Sequence, residues 1–435
     1  MNKKQIQNVI DGFNKYYKIF TESKSFSAID FKEYMEPIFT EAGYRQHDKD
    51  HQTNILIIHD AGVGDFILMS AAIREIRRLY PMAHITMVIY PRALNLAEFC
   101  PYVDELIPNA RQCNWFDFVD NYKWNTNFVE ILLQRNFDIA YAFTHYDTTP
   151  MLAYMSGAKE RISYKFTEKD TVFGAAPCYL FSSLMTLEVP QQLYGIHTVD
   201  NALGFLDYSL HASVMNREIE VWYTPLDVTV AKELLEEYRN KKLYAVCMGG
   251  SSNFKCWSPE NYAILIELIL NAETDSFFII LGGGDNDIKL SEIVYQKLAG
   301  KGLDERILDL TNKTTYRQSA AVLKLCDYYI GTDTSAMHIA AALKVPVLVP
   351  FCFPADIQTT NESTIKMFYP YHVPSVIVQP KHALPECKDS KDSYGCKIRN
   401  RPHCITQIKP ETMFTAFKLL KEQIAKGSTE PLYVS

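Results

Sequence analysis

The segment Gly331-Thr332-Asp333-Thr334-Ser335-Ala336-Met337-His338 joins an apolar run to a small-residue helix and then to Val345-Pro346-Val347-Leu348-Val349. Asp333, Thr334 and Ser335 are helix-starting residues, and the first helical turn leaves backbone N–H groups unpaired. Those groups and the positive end of the helix dipole suit a phosphate or diphosphate. The plainer alternative is an ordinary capped helix in an α/β core. Two more loops carry comparable chemistry. Gly249-Gly250-Ser251-Ser252-Asn253-Phe254-Lys255-Cys256-Trp257-Ser258-Pro259 links an apolar run to a helix. Its glycines permit close backbone approach to a ligand, and Lys255 supplies a point charge for phosphate. A surface loop with a solvated lysine is the alternative. Gly282-Gly283-Gly284-Asp285 holds the equivalent place after the next apolar run and fits a ribose or base edge better than catalysis.

Near the start of the chain, Gly62-Val63-Gly64-Asp65 follows the run Asn54–Ile58. A dinucleotide fingerprint needs a third glycine where Ile67 stands, which argues against a nicotinamide enzyme. Asp65 sits at a helix start beside the mouth of a cleft. There it either acts as a general base on a substrate hydroxyl or complements the helix dipole.

These loops need a frame. Asn54–Ile58, Ile85–Ile89, Glu105–Ile107 and Phe137–Phe143 read as strands, with a helix over Phe66–Leu79. After a polar bridge from Tyr208 to Lys242, with a helix at Val228–Tyr238, the pattern restarts. Strands are expected at Leu243–Met248, Ser276–Leu281, Arg306–Leu310 and Tyr328–Ile330, and helices at Pro259–Leu270 and Tyr316–Leu325. Two strand–glycine loop–helix series predict two doubly wound parallel sheets with ligands beyond the carboxyl ends of their strands. Residues 1–50, with Val9, Phe13, Tyr16, Tyr17 and Phe20 at helical spacing, predict one or two amphipathic helices ahead of the first strand.

The 435 residues carry a net charge of −7, which gives a nucleic-acid partner no support. The longest apolar runs are strand-sized, far from the ~20 residues of a membrane span. The opening residues lack an apolar signal core, so a cytoplasmic location is expected. Ten cysteines without a signal peptide suggest free thiols. Of these, Cys352 and the series Cys387-x8-Cys396-x7-Cys404 could form a tetrahedral zinc or iron site of structural character, with scattered buried thiols as the alternative.

Taken together, the motifs resemble glycosyltransferase family 9, the ADP-heptose heptosyltransferases. The matches are Gly64-Asp65 before a helix with Ala71-Ala72-Ile73-Arg74, and the Gly-Gly-Ser loop ending in Lys255-x-Trp257-x-Pro259-Glu260. The glycines after Phe277–Leu281 and the Asp333–His338 motif before Ala340–Leu343 and Pro346 complete them. They span roughly residues 52 to 425. The resemblance implies a GT-B fold of two Rossmann-like domains facing a cleft. It implies an acceptor domain over 51–225 and a donor domain over 226–435, while the helical extension over 1–50 departs from the family pattern.

It further implies metal-independent, inverting transfer from an ADP-sugar, ADP-heptose first among them, to a hydroxyl of lipopolysaccharide or another glycan. Asp65 is then the base. Gly250, Ser251, Lys255, Asp285, Asp333, Thr334, Ser335 and His338 form the donor site, and Asp60 and Gly64 lie on the acceptor side. For His338 a purely structural role stays open. The iron-binding autotransporter heptosyltransferases among such relatives are similar in their cysteine cluster.

The turn His59-Asp60-Ala61 lacks the basic residue common in the family, and Asp60 is a rival for the base. Another nucleotide sugar, a protein acceptor, or a non-catalytic sugar-nucleotide scaffold are the competing expectations. Peripheral contact with the inner membrane accompanies the lipopolysaccharide reading, and the oligomeric state is open.

Overall fold

The computed structural model describes residues 2–23, 28–44, 51–109, 126–143, 148–165, 183–190, 196–250, 252–356, 365–388, 398 and 400–435. Ser251, Cys396 and the side chain of Cys387 therefore lie outside the described residues.

The first half runs α1 (Lys3–Ser23), α2 (Ala28–Glu41), β1 (Asn54–His59), α3 (Val63–Leu79), β2 (His84–Ile89), α4 (Leu94–Ala97) and β3 (Glu105–Pro108). It continues with α5 (Thr126–Leu133), β4 (Ile139–Ala142), α6 (Thr148–Met155), β5 (Glu160–Tyr164), β6 (Leu187–Val189) and α7 (Thr198–Leu210). Its strands form one parallel sheet in the order β3-β2-β1-β4-β5-β6. The second half comprises α8 (Pro225–Leu234), β7 (Lys242–Cys247), α9 (Pro259–Ala272), β8 (Ser276–Ile280), α10 (Asp285–Ala299), β9 (Ile307–Asp309) and α11 (Tyr316–Lys324). Then follow β10 (Tyr328–Gly331), α12 (Ser335–Ala342), β11 (Val347–Pro350), β12 (Ser375–Val378), α13 (Pro385–Lys388), α14 (Pro410–Ala425) and β13 (Leu432–Val434). Its parallel sheet has the order β13-β12-β11-β10-β7-β8-β9.

Both sheets reverse their winding beside their first strand, between β1 and β4 and between β7 and β10. Such a switch point leaves a crevice at the carboxyl ends of the two central strands. The turn after β1, the glycine loop after β7 and the motif after β10 all open there.

The two faces of β1 pack differently. Ile55 and Ile57 join the core of α3 and α7. Leu56 and Ile58 join a cluster with Ile6, Val9, Ile10 and Phe13 of α1 and Phe31, Met35 and Phe39 of α2. The predicted N-terminal extension is thus a helical layer on the sheet. Each such burial stabilises by roughly 1.5–3 kcal/mol. Two anchors fix its register: Tyr44 Oη donates to Leu133 O (2.7 Å) and Lys32 Nζ to Ser183 O (2.7 Å).

Two expectations need correction. The helix expected at Phe66 begins at Val63, because Asp65 Oδ2 accepts from Gly62 N (2.9 Å) and closes the first turn. Strands β5, β6, β12 and β13 were not anticipated; each has three to five residues, too few to show a period.

Candidate functional site

On the second sheet, β10 lies against β7, so the residues leaving their ends meet. Thr332 fixes that meeting. Its N–H donates to Cys247 O (2.9 Å), its Oγ1 to Met248 O (2.7 Å), and Tyr329 Oη donates to its carbonyl (3.0 Å). The next residue, Asp333, is buried and pairs through Oδ2 with Lys255 Nζ at 2.7 Å. Burial alone would lower the Lys255 pKa, but the Asp333 carboxylate more than offsets it, with Cys352 and Asp65 adding to the rise. Lys255 is therefore a cation held inside the crevice, its side chain 27% exposed. The loop bearing it is pinned from behind. Trp257 is fully buried and donates Nε1–H to Ile408 O (2.9 Å), and Asn253 Nδ2 reaches Asn400 O (3.4 Å).

Helix α12 starts at Ser335 with Thr334 extended before it. The Thr334 side chain makes no cap bond to the first turn. Backbone N–H groups at such a turn are an anion site. Gly250 runs close beneath: a Cβ there would stand 3.0 Å from Thr334 Cγ2. At Gly249 it would fall 1.6 Å from Asp287 Oδ1, so only glycine fits.

From the other sheet, α3 brings the turn after β1 against α12. A Cβ on Gly64 would sit 2.9 Å from His338 Cδ2 and 3.5 Å from Ser335 Cα. His338 is 5% exposed, and burial pushes its pKa down to about 4, Asp333 opposing and Lys255 adding to the fall. A neutral imidazole thus seals the floor of the cleft. Asp65, next to Gly64, is half-buried and near enough to Lys255 for its charge to act on the lysine. Asp60, in the turn after β1, is 4% exposed.

Most of the predicted site residues therefore converge: Asp60, Gly64 and Asp65 from one sheet, Gly250, Lys255, Asp333, Thr334, Ser335 and His338 from the other. Asp285 is exposed at the start of α10. Asp287, two residues on, takes the inward place instead. Its Oδ2 accepts from Gly283 N (2.7 Å), its carboxylate lies between Gly249 and Gly282, and burial raises its pKa. Cys352 and Cys404 are both buried, and His403 Nδ1 lies 3.2 Å from Cys404 Sγ. Among the described residues no three His, Cys, Asp or Glu side chains gather around one point.

The family model for glycosyltransferase family 9 (heptosyltransferase) matches residues 118–352, more than half of the chain. The chain belongs to glycosyltransferase family 9. It is a glycosyltransferase, and the two-domain GT-B arrangement recurs in solved relatives. It is 22% identical over 297 residues to lipopolysaccharide heptosyltransferase 3 of Escherichia coli (strain K12), covering 66% of this chain and 79% of that protein. A family 9 glycosyl transferase from Veillonella parvula DSM 2008 superposes with a TM-score of 0.64 at 18% identity, over 87% of this chain and 99% of that one. The E. coli ADP-heptose lps heptosyltransferase II gives 0.62 at 14% identity, over 86% and 100%.

Two buried histidines lie at the contact between the halves of this glycosyltransferase. His338 faces Gly64, and His197 ahead of α7 accepts from Val199 N and pairs through Nε2 with Tyr369 O at 3.0 Å. Burial lowers the His197 pKa to about 3, the Tyr369 carbonyl working against it and His338 and His372 with it. Both rings fold neutral. The stability they hold is complete above the unfolded pKa of ~6.5 and drains as pH falls toward their folded values. The urea midpoint should therefore drop between pH 6.5 and 5, above the carboxylate range. A flat midpoint across that window contradicts the assignment.

Proposed function

We propose that this enzyme transfers heptose from ADP-heptose, with inversion, to a hydroxyl of a lipopolysaccharide-type glycan. The observation that carries the reading is the joint placement of Asp65 and the Lys255–Asp333 pair at 2.7 Å, from opposite sheets, in one cleft. Asp65 takes the acceptor proton as its oxygen attacks the anomeric carbon. The bond from that carbon to the β-phosphate oxygen breaks on the opposite face, and its electron pair leaves with ADP. Lys255 and the N–H groups opening α12 receive the developing charge. Asp287 is suited to the ribose hydroxyls, since a carboxylate accepts two hydrogen bonds. The named relatives, lipopolysaccharide heptosyltransferase 3 and ADP-heptose lps heptosyltransferase II, support the choice of sugar and acceptor. No described helix is long and apolar enough to cross a membrane; the substrate would place the enzyme at the cytoplasmic face of the inner membrane.

A donor panel tests this. Purified protein is offered ADP-heptose, ADP-glucose, UDP-glucose and GDP-mannose, and released nucleoside diphosphate is followed by mass spectrometry. Selective release of ADP from ADP-heptose is expected. Preference for a UDP- or GDP-sugar refutes the donor assignment.

A structural metal belongs to the same reading. Cys352 and Cys404 are soft, buried donors of the kind zinc or iron takes, but with His403 they do not gather around one point among the described residues, so the site depends on Cys387 and Cys396. Cys387 and Cys396 would complete the set. The described segment 400–408 backs the Lys255 loop, so loss of the ion would lower thermal stability before it touched the chemistry. Elemental analysis of untagged protein is expected to give about one zinc or iron per chain; a content near zero removes the site.

A further inference from the structure

Beyond the cleft, one side chain joins the two halves at several points. Arg317, on the first turn of α11, donates from Nη1 to Asn95 O (2.7 Å) and to Glu98 Oε2 (2.8 Å). Its Nε is 3.3 Å from Asp227 Oδ2 of α8, and its guanidinium lies 4.6 Å from the centre of the Phe99 ring. Its own backbone N–H donates to Asn95 Oδ1 (3.2 Å). Asn95 on the first sheet thus satisfies an orphan N–H of a helix on the second, while the guanidinium holds the Asn95 carbonyl in return. Only 17% of the Arg317 side chain is exposed. The planar fork of arginine reaches these partners together, which a lysine ammonium cannot do.

The clasp sits where it can set the cleft. Helix α4 follows the carboxyl end of β2, the strand paired with β1, whose own end carries the Asp65 turn. On the other side, Tyr316 next to Arg317 lies near enough to Ser335, at the start of α12, for the two hydroxyls to influence each other. We infer that Arg317 is a positioning residue: it locks the register of the two sheets and so the distance between Asp65 and the donor site. This rests on the cleft being the transfer site.

Arg317→Ala, Arg317→Lys and Glu98→Gln are compared with the intact enzyme. ADP release from ADP-heptose gives kcat and KM, calorimetry gives ADP affinity, and small-angle scattering gives the radius of gyration. Arg317→Ala is expected to lower kcat by roughly ten- to a hundredfold, the scale of an ångström-sized misplacement. KM and ADP affinity should stay within about twofold, and the radius of gyration should rise. Arg317→Lys should fail to restore kcat, and Glu98→Gln should fall between. Unchanged kcat with unchanged radius overturns the proposal. So does a parallel loss of kcat, ADP affinity and melting temperature, which marks a merely structural residue. If the intact enzyme releases no ADP, the functional reading fails, while the scattering comparison still judges the clasp.

Discussion

Asp65→Asn should lower ADP release from ADP-heptose at least about a hundredfold, the usual scale of a general base, and leave ADP affinity unchanged. The substitution separates two roles that share one carboxylate. Asp65 Oδ2 accepts from Gly62 N (2.9 Å), which closes the first turn of α3. An asparagine oxygen accepts that bond equally well, so the helix keeps its start. What disappears is the capacity to take a proton from the attacking hydroxyl. Calorimetry and a urea titration serve as controls, and both should match the parent. Turnover within threefold of the parent would move the base to Asp60, despite its deeper burial.

Lys255→Ala should weaken ADP binding by roughly ten- to a hundredfold, the range of a charge-assisted contact. It should also destabilise the fold, because Asp333 is left as a buried carboxylate without its cation. Breaking such a pair costs about 3–5 kcal/mol in a dry interior. With the Lys255 side chain 27% exposed, about 1–3 kcal/mol is the better expectation. Adding Asp333→Asn should return most of the stability and should not return the parental affinity. That split distinguishes a ligand-binding cation from a structural one. The affinity loss should narrow at high salt, as it does for a point charge on phosphate. Equal ADP affinity in Lys255→Ala and the parent would show that the diphosphate lies elsewhere.

Much of the fold was legible because parallel strands are buried on both faces and read as continuous apolar runs. Asn54–Ile58 and Ser276–Leu281 are of this kind, and the structure places β1 and β8 within a residue of those bounds. The candidate site was legible as far as helix starts after such strands obey a known grammar, which singled out Asp65 and Asp333 as residues of the cleft. Asp285 shows its limit. Asp285 and Asp287 share the first turn of α10, but two residues turn a helix by about 200°, so only one can face the glycine loops. Spacing alone did not say which. Arg317 was invisible for another reason: its partners Asn95 and Glu98 lie 222 and 219 positions away in sequence. Likewise, periodicity announced the N-terminal helices but not the sheet face they cover.

That covering layer has a consequence for how the chain is made. The apolar stripe of α1 and α2 is synthesised before the elements it covers, among them Ala140 and Tyr154. At about 5–20 residues per second, some 5–20 s separate the emergence of Tyr44 from that of Tyr154. Through that interval the amphipathic pair has only itself and early partners such as Leu56, Ile58 and Val88 to cover its apolar side. It is then a natural client for a chaperone, and slow translation upstream of β4 would prolong that dependence.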